Sequence, residues 1–369
     1  MKRIDKGFIL PSAALTIKRS QVKYYMHSNK SPENGDIVYG KICLVGQHSS
    51  LENASGRIHM IHDGTKAVFV FGNRYAPDYY EGLVPDQMIE DVDLLARSGL
   101  IGIAKTKNSL IKDPTRVKIS GYVRDKSGNI LNTRNFPLIK AKNTVKKVPR
   151  AKMILVCGTS MNSGKSFAAA ACCWALTSTG YNVRACKVTG TASLKDILLM
   201  NDSGAQHYAD FTYLGYPSTY LLEKEKLIGI FNQLDLKYAN NPKNFWVVEL
   251  ADGIIQRETR LLLESEVLRS RIYRFIFCAS DAFGAIGGLN LLESFDLRPD
   301  ALSGICSSSP LHVRELNEFT QIPVFNSVEP NKNKLTKILF HSTKYNIKKQ
   351  DCSRQLDGQK DNTPAVSDG

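Results

Sequence analysis

The sequence predicts an α/β fold, a parallel sheet with helices on both faces, preceded by a smaller β-rich domain. Three observations carry that prediction. From Lys152 onward, short apolar runs alternate with longer helical patterns, the order expected of parallel strands joined by crossover helices. Residues 1–135 instead carry apolar runs broken by turn signals such as Asp63-Gly64. Between the two lies Lys140-Ala-Lys-Asn-Thr-Val-Lys-Lys-Val-Pro-Arg150, basic and proline-bearing, which reads as an interdomain linker over residues 140–151.

In the first domain, residues 1–139, Asp36–Val45 is a strand candidate. Arg57–His62 and Lys66–Phe71 flank an Asp-Gly turn and read as a hairpin. Pro85–Arg97 reads as a helix, and Val117–Val123 with Asn129–Asn132 form a weaker hairpin candidate around Lys126-Ser-Gly128. A small β-barrel or sandwich with one helix follows. In the second domain, residues 152–341, the strand candidates are Met153–Cys157, Val183–Lys187, Phe245–Leu250, Tyr273–Ala279, Leu302–Cys306 and Pro323–Asn326. Ala168–Thr177, Thr219–Gln233, Glu258–Arg269, Gly288–Ser294 and Leu311–Phe319 read as helices. Lys344–Gly369 is polar and almost without large apolar residues, so residues 342–369 read as a disordered tail. No internal repeat is visible.

Bulk properties narrow the functional classes. An apolar content of 43% is that of an ordinary globular protein, and no apolar run reaches membrane-spanning length. Met1-Lys-Arg and the apolar residues after it resemble a leader only superficially, since Pro11 interrupts the run and no small-residue cleavage site follows; a cytoplasmic protein without membrane contact is expected. The eight cysteines show neither Cys-x-x-Cys nor His-paired spacing, which excludes a disulfide framework or metal cluster and fits reduced thiols. Residues 1–150 hold 25 Lys/Arg against 13 Asp/Glu, so nearly all of the net charge of +14 belongs to the N-terminal part. Such a surplus attracts nucleic acid, an anionic membrane surface or an anionic substrate, or is merely a solvated surface.

The chemistry concentrates in Met153-Ile-Leu-Val-Cys-Gly-Thr-Ser-Met-Asn-Ser-Gly-Lys-Ser166. An apolar strand is followed by a glycine-bracketed turn and then by a helix. This order aims backbone N–H groups and a helix N-terminus at a polyphosphate. Lys165 is placed to reach the terminal phosphates, and the Ser166 hydroxyl to sit on Mg²⁺. Gly158, Thr159, Asn162, Ser163 and Gly164 complete the loop. Five residues separate Gly158 from Gly164, one more than the usual pattern. A P-loop NTPase-type sheet binding a nucleoside triphosphate is the expectation. Ligands of such sheets lie beyond the carboxyl ends of the strands, where Gly158, Lys187, Glu249 and Asp281 fall. Glu249 ends an apolar strand and must be solvated, paired or metal-bound. Asp202 is the preferred second magnesium carboxylate, with Asp196 and Asp210 as alternatives. Arg257 reads as a helix-surface residue.

Over residues 152–330 these features resemble dethiobiotin synthetase and the related cobyric and cobyrinic acid amidating synthetases. The loop Gly158-Thr159…Gly164-Lys165-Ser166 resembles their phosphate loop. Lys187, twenty-two residues after Lys165, with Thr191 beyond it, is similar to a second active-site lysine and its nearby hydroxyl residue. Trp246-Val-Val-Glu-Leu-Ala-Asp-Gly253 is similar to the segment whose glutamate binds magnesium. Ala282–Leu292 resembles a later glycine-bearing loop that opens a helix, and Ser303-Gly-Ile-Cys-Ser307 the strand leading to the base, with Ser307 where the family has asparagine. The acidic residue of the family's phosphate loop is Asn162 here, and the glycine-rich stretch after the magnesium glutamate is Leu250-Ala-Asp-Gly253. The N-terminal domain has no counterpart in dethiobiotin synthetase.

The resemblance implies ATP and Mg²⁺ as cofactors, with Lys165, Lys187 and Glu249 as catalytic residues. The γ-phosphoryl group would pass to a small carboxylate or carbamate for attack by an amine. ATP is preferred over GTP from the resemblance; no guanine-reading Asn-Lys-x-Asp is present. The alternative is a nucleotide-switch ATPase whose basic N-terminal domain binds nucleic acid or a protein. Related ATPases dimerise across the nucleotide, so a homodimer belongs with that alternative. They carry a further lysine early in the loop, where Thr159 and Ser160 stand here.

Overall fold

The computed structural model describes residues 1–140 and 148–341. Most of the expected basic linker and the expected tail lie outside the described residues. The second half of the chain builds a six-stranded sheet, all parallel, in the order β3-β2-β4-β1-β5-β6. The strands are β1 (Lys152–Gly158), β2 (Val183–Lys187), β3 (His207–Asp210), β4 (Phe245–Glu249), β5 (Ile272–Cys278) and β6 (Ala301–Ser303). Along β1, Met153, Leu155 and Cys157 face one apolar layer while Ile154 and Val156 face the other. A strand buried on both faces reads as a continuous apolar run, which is why its place was visible in the sequence.

Eight helices cover the two faces among the described residues. On one side lie α3 (Lys224–Tyr238), α4 (Arg257–Leu263), α5 (Glu266–Arg269), α6 (Ala282–Glu293) and α7 (Pro310–Phe319), which contribute Phe231, Leu262, Leu268, Leu292 and Leu316 to one layer. On the other lie α1 (Lys165–Thr177), α2 (Lys195–Asp202) and α8 (Lys332–Phe340), contributing Ala168, Ile197 and Leu339. Five expectations shift here: the helix expected over Thr219–Gln233 runs Lys224–Tyr238, the one expected over Gly288–Ser294 begins at Ala282, and three others change as follows. The helix expected over Glu258–Arg269 is two helices, separated at Glu264–Ser265. The strand expected over Leu302–Cys306 stops at Ser303, because Gly304 adopts φ +98 and turns the chain into a 3₁₀ segment. Pro323–Asn326 contributes a single parallel bridge, Val324 to Leu302, rather than a strand.

The first half is β-rich, as expected. Ile37–Leu44, Lys66–Phe71, Leu100–Lys107, Asp91–Ala96 and Thr115–Arg124 pair in succession, and the last pairs back with the first, closing a ring. Val38, Phe69, Phe71, Leu94, Ile101 and Val117 fill a common core. The helix expected over Pro85–Arg97 is not there; Asp91–Ala96 is the closing strand. Val92 and Leu94 point to the core, while Asp93 turns the other way to pair with Arg116, so the period is two. The expected hairpin of residues 57–62 with 66–71 is also replaced. The Asp63-Gly64 turn forms, with Thr65 N–H donating to the His62 carbonyl, but Ile58–Met60 pairs with Ser50–Glu52, and Lys66–Phe71 with Ile37–Leu44. The turn at Lys126–Gly128 does fold back, with Arg124 bridged to Ile130. Among the described residues, no helix is long and apolar enough to cross a membrane, and the described cysteines are free.

Closure of the ring by Asp91–Ala96 is testable. Leu94→Ala should cost ~2–5 kcal/mol in denaturant unfolding, against about 0.5 kcal/mol or less for exposed Asp91→Ala. Equal, small effects would show that this strand does not close the core.

Candidate functional site

At the carboxyl end of β1 the chain leaves the sheet through residues 159–164 and enters α1 at Lys165. Close backbone approaches hold this turn. A Cβ on Gly158 would stand 2.3 Å from Ser163 Oγ and 3.0 Å from Lys165 Cγ. One on Gly164 would meet Gly304 Cα at 2.7 Å, and one on Gly253 would meet the Thr159 carbonyl at 2.2 Å. Gly164 also has φ +90, a left-handed conformation that favours glycine; Asn162, at φ 60, is the other left-handed residue of the turn. Thr159 N–H is committed to the Cys278 carbonyl at 2.9 Å. Among the described residues, no acceptor meets the N–H groups of Asn162, Ser163, Gly164, Lys165 or Ser166. These donors, together with the N-terminus of α1, form a concentrated anion-attracting surface. Lys165 is buried, and its ammonium lies on the loop itself, 2.6 Å from the Ser160 carbonyl.

Beside the loop sits a compact cluster of charge. Ser166 Oγ lies 3.0 Å from Asp196 Oδ1 and 3.2 Å from Glu249 Oε1. Its single proton can serve only one of them at a time. Lys187 ends β2, donates to Asp196 and stands 3.7 Å from Glu249 Oε1. Burial would lower the Lys187 pKa, but Asp196 and Glu249 hold it above its ordinary value. Burial pushes the Glu249 carboxyl up against the pull of Lys187. Burial acts on Asp196 in the same sense, yet the Lys187 ammonium and the hydrogen bonds hold it low. Among the described residues, Glu249 Oε2 is buried and has no partner.

These groups line a cleft of about 680 Å³. Its floor is the sheet edge with Lys165, Lys187, Asp196, Glu249 and Asp252. Its opposite wall comes from the N-terminal domain, through His48, Glu52, Arg74, Tyr79 and Arg97. The wall is tied to the floor. Asn162 Nδ2 donates to Asp78 at 2.5 Å, Leu194 N–H to buried Glu52 at 2.9 Å, and Tyr220 OH to Glu81 at 2.7 Å.

Of the residues singled out in the sequence, Asn162, Ser163, Gly164, Lys165, Ser166, Lys187, Thr191 and Glu249 line this cleft. Gly158 and Thr159 lie beneath the loop, committed to β5 and to the chain after Glu249. Ser307 is buried with its hydroxyl on the Gly304 carbonyl at 2.6 Å, and it does not line the cleft. Asp202 requires correction: it is the exposed last residue of α2, whereas Asp196 in the first turn of that helix reaches Ser166 and Lys187. Asp210 is wholly buried and accepts from Thr212 N–H at 2.9 Å, capping the 3₁₀ turn after β3. Arg257 is bound to the Leu222 carbonyl and Glu258, away from the cleft. Asp281 caps α6 through Gly284 N–H at 2.7 Å.

Two contributors were not anticipated. Asp252 lines the cleft, and desolvation there pushes its carboxyl up against Lys165, Lys187 and Arg74. The Asp-Gly pair following Glu249 was its only sequence signal. The N-terminal wall left none beyond a basic surplus. Among the described residues, no group of three His, Cys, Asp or Glu side chains is arranged to hold a metal ion. Magnesium in phosphate-binding sites uses one or two carboxylates plus phosphate oxygens and water, so Ser166, Asp196 and Glu249, with the unpartnered Oε2, are a fitting set. A scan against protein-family models and a comparison with curated proteins both give no match.

Two variants probe these local arguments. Gly164→Ala should destabilise by ~1–3 kcal/mol from backbone strain, plus the collision with Gly304. Gly180→Ala has φ +88 and nothing within 4 Å of a new Cβ, so it isolates the strain alone. Thermal unfolding of the pair separates the two costs; equal losses would refute the close approach. For Asp210, burial raises the carboxyl from 3.8 to about 6. Between those values the folded chain holds a proton that the unfolded chain has released. Its stabilising contribution is therefore complete below the lower value and is lost as pH rises through the upper one, on the order of 3 kcal/mol in all. Asp210→Asn should remove this slope and unfold at higher urea than the parent at pH 8, with no difference at pH 4. Parallel pH profiles would overturn the shift.

Proposed function

We propose that this chain is an ATP- and Mg²⁺-dependent enzyme with a P-loop-type nucleotide site, of the dethiobiotin synthetase-like superfamily in its C-terminal half. On this reading it activates a small carboxylate or carbamate by γ-phosphoryl transfer. The observation that carries the proposal is the run of unbonded N–H groups over residues 162–166 beside buried Lys165, facing the Ser166–Asp196–Glu249 cluster. Unbonded buried-edge donors and an uncompensated ammonium call for an anion, and a triphosphate supplies several. The cleft volume of about 680 Å³ lies within the ~300–1,000 Å³ typical of small-molecule sites.

The transfer step needs alignment and charge rather than covalent help from the protein. The loop N–H groups and Lys165 bind the phosphates, and Lys187 brings a second cation to the same edge. Ser166, Asp196 and Glu249 would hold Mg²⁺, which when bound offsets negative charge on the phosphate oxygens. The bond from the γ-phosphorus to ADP breaks as one forms to a carboxylate oxygen, giving ADP and an acyl phosphate. An amine nitrogen then attacks the carbonyl carbon, inorganic phosphate departs, and the nitrogen loses a proton. The N-terminal wall flanks this region, and with the acceptor bound would limit the access of water, which would otherwise hydrolyse the intermediate.

Lys165→Ala should weaken ATP binding by tenfold or more in calorimetric titration. Glu249→Gln should raise the Mg²⁺ concentration needed for half-maximal phosphate release and lower the maximal rate. Phosphate release by the parent should rise with small carboxylates plus amines. Stimulation by DNA or RNA alone would favour the switch ATPase, and unchanged ATP affinity in Lys165→Ala would remove the nucleotide site altogether.

A further inference from the structure

Four basic residues are buried among the described residues: Arg74, Lys165, Lys187 and Arg274. Lys187 is paired with Asp196, and Arg274 stands 3.8 Å from Asp300. Among the described residues, Lys165 and Arg74 have no carboxylate within ion-pair distance, and both line the same cleft, from opposite domains. Lys165 is accounted for by the phosphate loop. Arg74 is not.

Arg74 opens the short strand Arg74–Tyr75 and is 7% exposed. Its Nη1 lies 3.0 Å from His48 Nε2, a nitrogen that also lies 3.0 Å from the Leu95 carbonyl and can serve only one of the two; its guanidinium carbon is 5.0 Å from the centre of the Tyr79 ring, and among the described residues its Nε has no partner. The His48 and Tyr79 rings stack at 5.4 Å, so the fork is gripped on one side by an aromatic pair. Burial, and then Arg74 itself, draws the His48 pKa down to about 4, so the imidazole is neutral and compensates nothing. The carboxylate whose charge acts on Arg74 is Asp252, which also faces the charges of Lys165 and Lys187. A buried guanidinium held in position without a counter-ion is an anion receptor, and its forked donors match the two oxygens of a carboxylate.

We infer that Arg74, oriented by His48 and Tyr79, is the carboxylate subsite for the second substrate, opposite the phosphate loop. The inference rests on the nucleotide site proposed above. Across the cleft the loop N–H groups and Lys165 already serve the phosphates, which leaves the arginine for the molecule to be phosphorylated. The N-terminal domain thereby supplies the acceptor's half of the active site, and that half carries the specificity.

Sulfate is the probe, since two of its oxygens mimic a carboxylate. With the full chain saturated by Mg²⁺ and the non-hydrolysable analogue AMP-PNP, calorimetric titration should show one saturable sulfate site. Arg74→Ala and Arg74→Gln should weaken that site tenfold or more, leaving AMP-PNP affinity within twofold; the Gln variant preserves bulk should Ala unfold the wall. Sulfate binding that is absent from the parent, or equal in parent and folded variants, overturns the subsite. A tenfold loss of AMP-PNP affinity in the Arg74 variants also overturns it, since the arginine then reads the nucleotide. Failure of the nucleotide site is read separately: the parent would not bind AMP-PNP, while sulfate titrated into nucleotide-free chain would still be lost in Arg74→Ala and unaffected in Lys165→Ala.

Discussion

The arrangement at the sheet edge depends on one buried cluster: the Lys187 ammonium between Asp196 and Glu249, with the Ser166 hydroxyl bridging the two acids. Each member comes from a different element, β2, α2, β4 and α1. Leaving any one of these charges alone at this depth costs about 3–5 kcal/mol, so each element is pinned by the others. The cluster is also incomplete. Among the described residues, Glu249 Oε2 is buried and unpartnered, and five loop N–H groups beside it have no acceptor. A core made only for stability would satisfy such groups. The sheet edge is therefore open in two senses, with loop N–H groups free for an acceptor and Glu249 Oε2 free for a cation or a donor.

The N-terminal ring is part of the same constraint. Asp78 holds Asn162 of the loop, and Glu52, itself buried, accepts the N–H of Leu194 immediately before α2. The wall thus touches a left-handed residue of the turn between β1 and α1 and the helix that carries Asp196. Thr133 adds a hydrogen bond to the Gly215 carbonyl at 2.7 Å, beyond the end of β3. Because these contacts are direct, the width of the cleft is set jointly by both domains.

What the sequence revealed and what it hid follow from how far each signal reaches along the chain. The parallel strands were legible because burial on both faces makes uninterrupted apolar runs, as in Met153–Cys157. The loop was legible because its glycines are demanded by contacts within a few residues or by φ. Helix α2 was not, because its apolar residues Ile197–Met200 are consecutive and give no helical period. That omission displaced the second carboxylate from Asp196 to Asp202. Strand β3, His207-Tyr-Ala-Asp210, is a short edge strand with too little apolar content to stand out. Asp91–Ala96 has helix-tolerant residues, and pairing on both sides with strands distant in sequence overrides that preference. The Asp63-Gly64 turn was placed correctly, but turn chemistry does not choose which strand a neighbour joins.

The basic surplus of the N-terminal part illustrates the limit of composition. As a count it points equally to nucleic acid, an anionic substrate or plain solvation. The structure divides it by depth. Lys118 and Lys66 sit at the surface beside Glu90 and Asp5, where screening makes such pairs weak. Arg74 is buried in the cleft wall, with no acid of its own, against a neutral imidazole. Surface charge answers to salt and to any polyanion, whereas a buried, oriented guanidinium admits only an anion small enough to enter. On the proposed reading, the positive charge relevant to chemistry is buried Arg74, with half-buried Arg97 on the same wall, and the domain that carries them is a specificity wall rather than an electrostatic platform.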